Sequence, residues 1–251
     1  LMQKMKNNKK VALVTGGAKR IGASICRRLH KSNINLIIHY RNSEKEAQAL
    51  QKELNILRKD SVTIIQGDLC DQNIYEPLIL KSTSIFGQLD FLVNNASSYY
   101  PTELGEINEK NWDDLMASNL KAPLFLCQAA APFLKKTKGA IINITDVHIK
   151  QPKKNYIVYS IAKAGLETLT KSLAQELGPT IRVNAVAPGP ILWPNSSHEF
   201  DELYRKKVIS QTLLNRSGEP DDVSKAVEFL LLNAPFVTGQ ILNIDGGRSF
   251  T

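Results

Sequence analysis

The sequence predicts a single α/β domain in which helices cover both faces of a doubly wound, seven-stranded parallel sheet. Short β-branched runs alternate with longer amphipathic stretches along the 251 residues. Runs such as Val11–Thr15 are apolar throughout, as expected for strands that are buried on both faces. A glycine-rich turn follows this first run directly. Repeated strand–helix units of this kind form parallel sheets with right-handed crossovers.

The predicted elements follow one another in near-regular alternation. Strands, each a short aliphatic run, are predicted at 11–15, 35–40, 61–68, 89–95, 140–145, 181–187 and 241–244. Helices, whose apolar residues recur at helical spacing, are predicted at 20–32, 44–58, 72–86, 109–135, 156–177, 200–211 and 220–232. No linker or repeat divides the chain, so we expect one domain over 11–251 after a flexible basic arm at 1–10.

The composition argues against several classes of protein. No apolar run reaches the roughly 18 residues that span a bilayer, and we expect no membrane partner. Cys26, Cys70 and Cys127 lie far apart, which favours reduced thiols and a cytoplasmic location. The four histidines lack metal-ligand spacing, so no metal is expected. The net charge of +8 forms no stripe with interleaved aromatics, which argues against nucleic acid and favours phosphate-bearing ligands.

The turn Thr15–Gly22 joins the first predicted strand to the first predicted helix. Glycines let the backbone approach a pyrophosphate, and the helix N-terminus offers free N–H groups and the positive end of its dipole. Lys19 and Arg20 are unfavourable near a helix N-terminus unless an anion sits beside them. The turn therefore predicts dinucleotide binding through Gly16, Lys19, Arg20 and Ile21.

The end of the second predicted strand indicates which nicotinamide cofactor is bound. A carboxylate there would repel a 2′-phosphate, and none occurs before Glu44. Arg41 and Ser43 are suited to bind that phosphate, so NADPH is the predicted cofactor. The contacts expected here and after the third and fourth strands are His39, Tyr40, Arg41, Asn42, Ser43, Asp68, Leu69, Asn95, Ala96 and Ser97.

Tyr159 and Lys163 lie four residues apart in a predicted helix, so both side chains leave the same face. A nearby ammonium favours the phenolate, and we expect it to lower the pKa of Tyr159 from the ordinary value near 10. Tyr159 would then act as an acid close to neutral pH.

From Val11 to Phe250 the sequence resembles the short-chain dehydrogenase/reductase superfamily, which has a Rossmann fold. The shared features are TGxxxxxG at 15–22, NNA at 94–96, Asn119, YxxxK at 159–163, and Pro188-Gly189. The resemblance implies that Asn119 stabilises the helix that organises a proton-relay water, and that Lys163 holds the nicotinamide ribose. It also implies cofactor contacts from Pro188 and Gly189 and a homotetramer, in which Arg248 reaches a neighbouring site.

Two positions depart from the common superfamily pattern, and both match the pteridine reductases. Asp146 stands thirteen residues before Tyr159, where most members have serine, and Arg20 replaces a glycine. The run at 95–101 resembles that subgroup too. The resemblance implies NADPH-dependent reduction of a pterin, dihydropterin or dihydrofolate. Hydride then goes to a ring carbon, and Asp146 relays a proton to the neighbouring nitrogen.

The resemblance also implies how substrate is held. Arg20 would pair with the pterin carbonyl region and the cofactor phosphate, and Tyr99 would stack on the flat ring. The segment 190–207 is irregular and then helical, with several aromatic residues, which favours a lid. His148 either touches substrate or is simply solvated. The predicted substrate-binding residues are Arg20, Ser97, Tyr99, Asp146, Tyr156, Tyr159, Pro190 and Trp193, and the predicted catalytic residues are Asp146, Tyr159, Lys163 and Asn119.

Two other functions stay open at this point. One is reduction of 3-oxoacyl thioesters or other small carbonyls, although Asp146 replaces the neutral donor that a carbonyl oxygen would use. An aspartate after a strand also often does no more than cap the next turn. The second is an NADP(H)-binding regulator without turnover, against which the intact Asn119, Tyr159 and Lys163 argue.

Overall fold

The computed structural model describes residues 9–150, 152–192 and 201–250. Most of the predicted arm at 1–10 lies outside this range, and so does the stretch 193–200 of the predicted lid, which includes Trp193. The strands within it are β1 (Val11–Val14), β2 (Asn35–Tyr40), β3 (Val62–Gln66), β4 (Phe91–Asn94), β5 (Ala140–Ile144), β6 (Arg182–Pro188) and β7 (Ile241–Ile244). They form one parallel sheet in the order β3-β2-β1-β4-β5-β6-β7, which confirms the predicted fold class.

Helices cover both faces of this sheet. They are α1 (Arg20–Lys31), α2 (Glu44–Leu57), α3 (Tyr75–Phe86), α4 (Glu109–Met116), α5 (Ala122–Thr137), α6 (Ile157–Leu177), α7 (Glu202–Ser210) and α8 (Pro220–Glu228). Alternate residues of β1 belong to opposite cores: Val14 packs with α1 and α8, whereas Leu13 packs with α3 and α5. Burial on both sides explains why the strands are apolar throughout rather than alternating.

Three predicted helices contain turns of a different helical type. The single helix predicted at 109–135 is observed as α4 and α5, joined by one π-helical turn at Ala117–Lys121. Pro123 lacks the N–H that would bond the carbonyl of Asn119, so the regular ladder is interrupted at that point. The predicted helix 220–232 ends in a second π-helical turn at Phe229–Asn233, just before Pro235, because the residue before a proline resists helical geometry. A 3₁₀ turn also replaces the start of the helix predicted at 72–86.

The sheet places its functional edge at the carboxyl ends of the strands. The strand order reverses between β1 and β4, and a crevice forms outside such a reversal in doubly wound sheets. Among the described residues no helix is both long and apolar enough to cross a membrane. The same residues contain no cluster of metal-ligating side chains, and Cys26, Cys70 and Cys127 are free thiols.

Candidate active site

A cleft of about 610 Å³ opens over the carboxyl ends of the strands. Most of the predicted site residues line it: Gly16, Lys19, Arg20, Ile21, His39, Arg41, Asp68, Leu69, Asn95, Ala96, Ser97, Tyr99, Asp146, Tyr159, Lys163, Pro188, Gly189 and Pro190. Of the predicted residues that the structure describes, those away from the lining are Tyr40, Asn42, Ser43, Asn119 and Tyr156. Trp193 lies outside the described residues.

The glycine-rich turn is held tightly at its two ends. Gly16 has a φ of +58°, a left-handed conformation that glycine adopts without strain, and a side chain there would press on Ala96. The Thr15 hydroxyl oxygen accepts hydrogen bonds from the backbone N–H groups of Asn95 and Ala96, both at 3.0 Å. The Asn95 side chain donates in return to the carbonyl oxygens of Thr15 and Gly16. Asn95 therefore fixes the shape of the turn.

His39 joins three strand ends beneath the cleft. Its Nδ1 accepts from the Gly16 backbone N–H at 3.3 Å, and its Nε2 donates to the Gly67 carbonyl at 3.0 Å. Burial lowers the pKa of His39 to about 4, against the weaker opposing effect of the bond to Gly67. The ring is therefore neutral near pH 7 and carries its proton on Nε2.

At the end of β2, His39 and Arg41 line the cleft, whereas Tyr40, Asn42 and Ser43 do not. The Arg41 guanidinium lies 3.7 Å from the Asp68 carboxylate and 3.8 Å from that of Asp114. Tyr40 points away from the cleft because its ring packs against Ala18 and Ala47 beneath α2. Arg41 is thus the residue of this strand end best placed to meet a 2′-phosphate.

Arg20 adopts an unusual backbone conformation for a side-chain-bearing residue. Its φ of +53° lies in the left-handed region, which costs about 1–3 kcal/mol for a non-glycine residue. This explains why glycine is common at the position in the superfamily. The Arg20 guanidinium crosses the cleft and donates to the Leu192 carbonyl at 3.2 Å. It therefore links the glycine-rich turn to the segment after β6.

Tyr159 and Asp146 form the centre of the site. The Tyr159 hydroxyl donates to Asp146 Oδ2 at 2.7 Å. Asp146 Oδ1 accepts from the backbone N–H of His148 at 2.8 Å, and it lies 2.7 Å from His148 Nδ1. Asp146 thus caps the 3₁₀ turn Val147–Ile149, as is common for an aspartate that follows a strand. It also contacts Tyr159, the candidate acid. Burial raises the pKa of Asp146, but the bonds from His148 and Tyr159 outweigh it and hold that pKa below the ordinary value.

The prediction that Lys163 lowers the pKa of Tyr159 is wrong. Burial, followed by the negative charge of Asp146, raises the pKa of Tyr159 well above its ordinary value. The Lys163 Nζ donates to the Ile144 carbonyl at 2.9 Å and lies 5.8 Å from the centre of the Tyr159 ring. Burial lowers the pKa of Lys163 to about 8. Tyr159 is therefore a neutral phenol that can release a proton, rather than a phenolate.

Three tyrosines form the wall next to this centre. The Tyr99 ring stacks on Tyr156 with centroids 4.7 Å apart and meets the edge of Tyr159 at 4.9 Å. Tyr156 is only 2% exposed, which explains why it does not line the cleft. It supports Tyr99, which is 41% exposed and presents its ring to the cleft.

Asn119 acts on the loop after β4 instead of lining the cleft. It lies in the π-helical turn, fully buried, and its side-chain amide donates to the carbonyls of Ser98 and Leu115 at 3.0 and 2.9 Å. Its Oδ1 accepts from the Ser97 hydroxyl at 2.7 Å. Asn119 thereby fixes Ser97 and Ser98 at the cleft wall.

Several lining residues were missed in the sequence. Lys153 places its ammonium 4.4 Å from the centre of the Tyr156 ring, and Tyr204 and Val208 of α7 close the same side. Arg248, expected to reach a neighbouring subunit, lies on the wall of its own chain's cleft and donates to the Val208 carbonyl at 3.3 Å. Tyr204 belongs to the predicted lid and Arg248 was expected at a neighbouring site, whereas no motif signals Lys153 or Val208. Further lining residues without a sequence signal are Cys70, Ser118 and Thr145.

Comparisons with known proteins agree with this geometry. A family model described as enoyl-(acyl carrier protein) reductase matches residues 16–249. Pteridine reductase 1 of Leishmania tarentolae is 36% identical, with 96% of this chain and 96% of that protein covered. The 3-oxoacyl-(acyl-carrier-protein) reductase FabG of Staphylococcus aureus is also 36% identical, with 95% and 97% covered. FabG of Staphylococcus epidermidis is 34% identical, with 95% and 98% covered. Identity alone therefore does not separate the two kinds of reductase.

Proposed function

We propose that this chain, which belongs to the short-chain dehydrogenase/reductase family, is an NADPH-dependent reductase of pterins, dihydropterins or dihydrofolate. The observation that carries the proposal is the 2.7 Å hydrogen bond between the Tyr159 hydroxyl and Asp146 Oδ2. A buried carboxylate beside the acid suits protonation of a ring nitrogen, because it can take and return a proton. A serine at this position would suit a carbonyl oxygen instead.

The residues of the cleft fit a phosphorylated dinucleotide. Gly16 and the N-terminus of α1 face the cleft together with the cations of Lys19, Arg20 and Arg41. Positive charge and free N–H groups at a helix start are the usual partners of a pyrophosphate. When bound, NADPH supplies the hydride. Lys163, whose ammonium also lines the cleft, would hold the nicotinamide ribose.

The chain's own groups then supply the proton and hold the acceptor. Tyr99 offers a ring face to a flat heterocycle, supported from behind by Tyr156. Tyr159 donates its hydroxyl proton to the ring nitrogen next to the carbon that is reduced. Asp146 stands against that hydroxyl and returns a proton to it. The neutral state of Tyr159, which its raised pKa maintains, is the state this step requires.

Replacing Arg41 with alanine should weaken the preference for NADPH. Charge-assisted hydrogen bonds contribute about 1.5–3 kcal/mol, so the KM for NADPH should rise about 10- to 100-fold. The KM for NADH should hardly change, because NADH lacks the 2′-phosphate. Steady-state kinetics with both cofactors measure this, with Lys45→Ala as a control that removes an exposed charge nearby. An equal loss for both cofactors would contradict the assigned phosphate contact.

The efficiency with NADPH should fall in alkaline solution. Burial lowers the pKa of Lys163 to about 8 from an ordinary 10.5, so free enzyme loses this charge as the pH rises through 8. Because the ammonium is the form that binds the ribose, kcat/KM for NADPH should drop about tenfold per pH unit above that point. Lys163→Arg, which stays charged, should move the fall to higher pH. A native profile that stays flat to pH 10 would contradict this role.

The test of the proposed function is the loss of NADPH absorbance with dihydrobiopterin, dihydrofolate and acetoacetyl-CoA in separate reactions. Oxidation with the pterin or folate alone supports the proposal. Oxidation with acetoacetyl-CoA alone would replace it with reduction of 3-oxoacyl thioesters, the alternative that the equally similar staphylococcal reductases favour. Tight NADPH binding without oxidation of any substrate would favour a regulator.

We also propose that the chain forms a homotetramer. Exposed apolar side chains gather on three neighbouring helices, α4, α5 and α6, where association would cover them. They are Trp112, Leu124, Phe125, Ile157 and Ile161. Light scattering of the purified protein measures the mass, and a monomer would contradict the proposal.

A further inference from the structure

His148 lies at one end of a continuous chain of hydrogen-bonding groups. Its Nδ1 is 2.7 Å from Asp146 Oδ1, and the other oxygen of that carboxylate accepts from the Tyr159 hydroxyl at 2.7 Å. Both distances are those of short, charge-assisted bonds. The backbone N–H of His148 also donates to Asp146, which fixes the imidazole in place. A proton can therefore pass between the imidazole and the phenol through a single carboxylate.

His148 connects this series of hydrogen-bonded groups to the surface of the molecule. Its side chain is 32% exposed, whereas that of Asp146 is 17% exposed and Tyr159 is buried. His148 lines the main cleft and also a separate cavity of about 50 Å³, which Val147, Lys150, Arg248 and Ser249 complete. A cavity of that volume is large enough for a water molecule. The imidazole thus contacts Asp146 and also lines a cavity that can hold water.

We propose that His148 returns a proton to Tyr159 through Asp146 after each turnover. This positioning and proton-supplying role rests on the proposed function. The Tyr159 O–H bond breaks as the ring N–H bond forms. His148 gives its Nδ1 proton to Asp146 Oδ1, and the carboxyl group then turns to hand that proton to the phenolate. His148 regains its Nδ1 proton from water, which restores the starting state. One hydride leaves NADPH and one proton leaves the solvent for each product molecule, so the step balances.

The neighbouring groups suit this route. Asp146 has a lowered pKa and holds a proton poorly, so it passes one on rather than storing it. Lys163 donates to the Ile144 carbonyl at 2.9 Å. His148 faces the Asp146 carboxylate, and Lys150 and Arg248 line the small cavity with it. Imidazole can both accept and give a proton, which suits it to pass one on.

The kinetic test is His148→Gln, with Lys154→Gln as a control on the same loop that leaves the cleft untouched. Glutamine still donates a hydrogen bond to Asp146 but does not titrate. We expect kcat to fall about 100-fold, with both KM values unchanged. Added imidazole should restore part of the rate of His148→Gly, because it can take the place of the missing ring. Full kcat in His148→Gln would overturn the relay, and so would a rise in KM alone.

A second test needs no substrate and therefore separates this inference from the proposed function. Histidine ring nitrogen signals are recorded by NMR, and His148→Gln identifies the His148 signals. Asp146→Asn should shift the His148 Nδ1 signal, because the carboxylate oxygen 2.7 Å from that nitrogen is replaced by an amide. An unchanged Nδ1 signal in Asp146→Asn would overturn the coupling. The native protein could show this coupling between His148 and Asp146 and yet reduce neither pterin nor folate. That result would leave the relay intact and refute only the substrate assignment.

Discussion

Tyr159→Phe should lower kcat by at least about a thousand-fold while leaving the affinity for NADPH nearly unchanged. The substitution removes the only atom of this side chain that can give a proton to substrate, and it keeps the ring that meets Tyr99 edge-on. It also takes away one of the hydrogen bonds to Asp146, so a buried carboxylate is left with His148 alone. The loss should therefore appear in the chemical step rather than in binding.

Single-turnover oxidation of bound NADPH measures that step directly, and quenching of protein fluorescence measures cofactor affinity. Tyr100→Phe is the matched control, because Tyr100 neighbours Tyr99 in sequence but is absent from the described lining of the cleft. A Tyr159→Phe enzyme within tenfold of the native rate would show that another group protonates the product. In that case Asp146 itself, which lines the cleft, would be the candidate acid.

The direction of the Tyr159 pKa matters for how this result is understood. A phenol whose pKa has been raised by burial and by Asp146 is a weaker acid in the resting protein than the sequence suggested. It gives up its proton only to a strong acceptor, such as the nitrogen that becomes basic when hydride reaches the adjoining carbon. A premature loss of the proton to solvent is thereby prevented, since the ionised form is the unfavourable one.

Much of the fold and the reacting centre could be predicted because both depend on local patterns and on topology. The glycine-rich turn follows from a local motif between β1 and α1, and the pairing of Tyr159 with Asp146 follows from where β5 ends and α6 begins. The thirteen-residue separation brings the two groups within hydrogen-bonding distance once the turn between those elements is formed.

The remaining features depend on packing between distant segments, which no local pattern encodes. Tyr40 and Tyr156 were expected at the ligand but are buried against neighbouring side chains, because each fills a space that the fold creates. Asn119 fixes the loop after β4 from a π-helical turn that the sequence pattern did not predict. Arg248 meets Val208 of α7 although forty residues separate them in sequence. The raised pKa of Tyr159 likewise follows from burial, which the spacing of Tyr159 and Lys163 does not reveal.

Asp146→Ser should exchange one specificity for another. Serine is as good a cap as aspartate, so the 3₁₀ turn Val147–Ile149 should survive and the protein should fold. The variant lacks the carboxylate that passes a proton to Tyr159, and reduction of pterins or dihydrofolate should fall by about 100-fold or more. It gains a neutral hydroxyl donor for a carbonyl oxygen, so NADPH oxidation with acetoacetyl-CoA should rise above the native level.

Asp146→Asn is the matched control, because it keeps the shape and the capping oxygen but can neither carry a charge nor transfer a proton. It should lose pterin reduction as Asp146→Ser does, without gaining carbonyl reduction, since its amide is a poorer mimic of the hydroxyl. Thermal unfolding and NADPH titration of both variants separate a change in chemistry from a loss of structure. If folded Asp146→Ser kept its native activity with pterins, the hydrogen bond between Tyr159 and Asp146 would be structural alone, and the site would be better described as that of a carbonyl reductase.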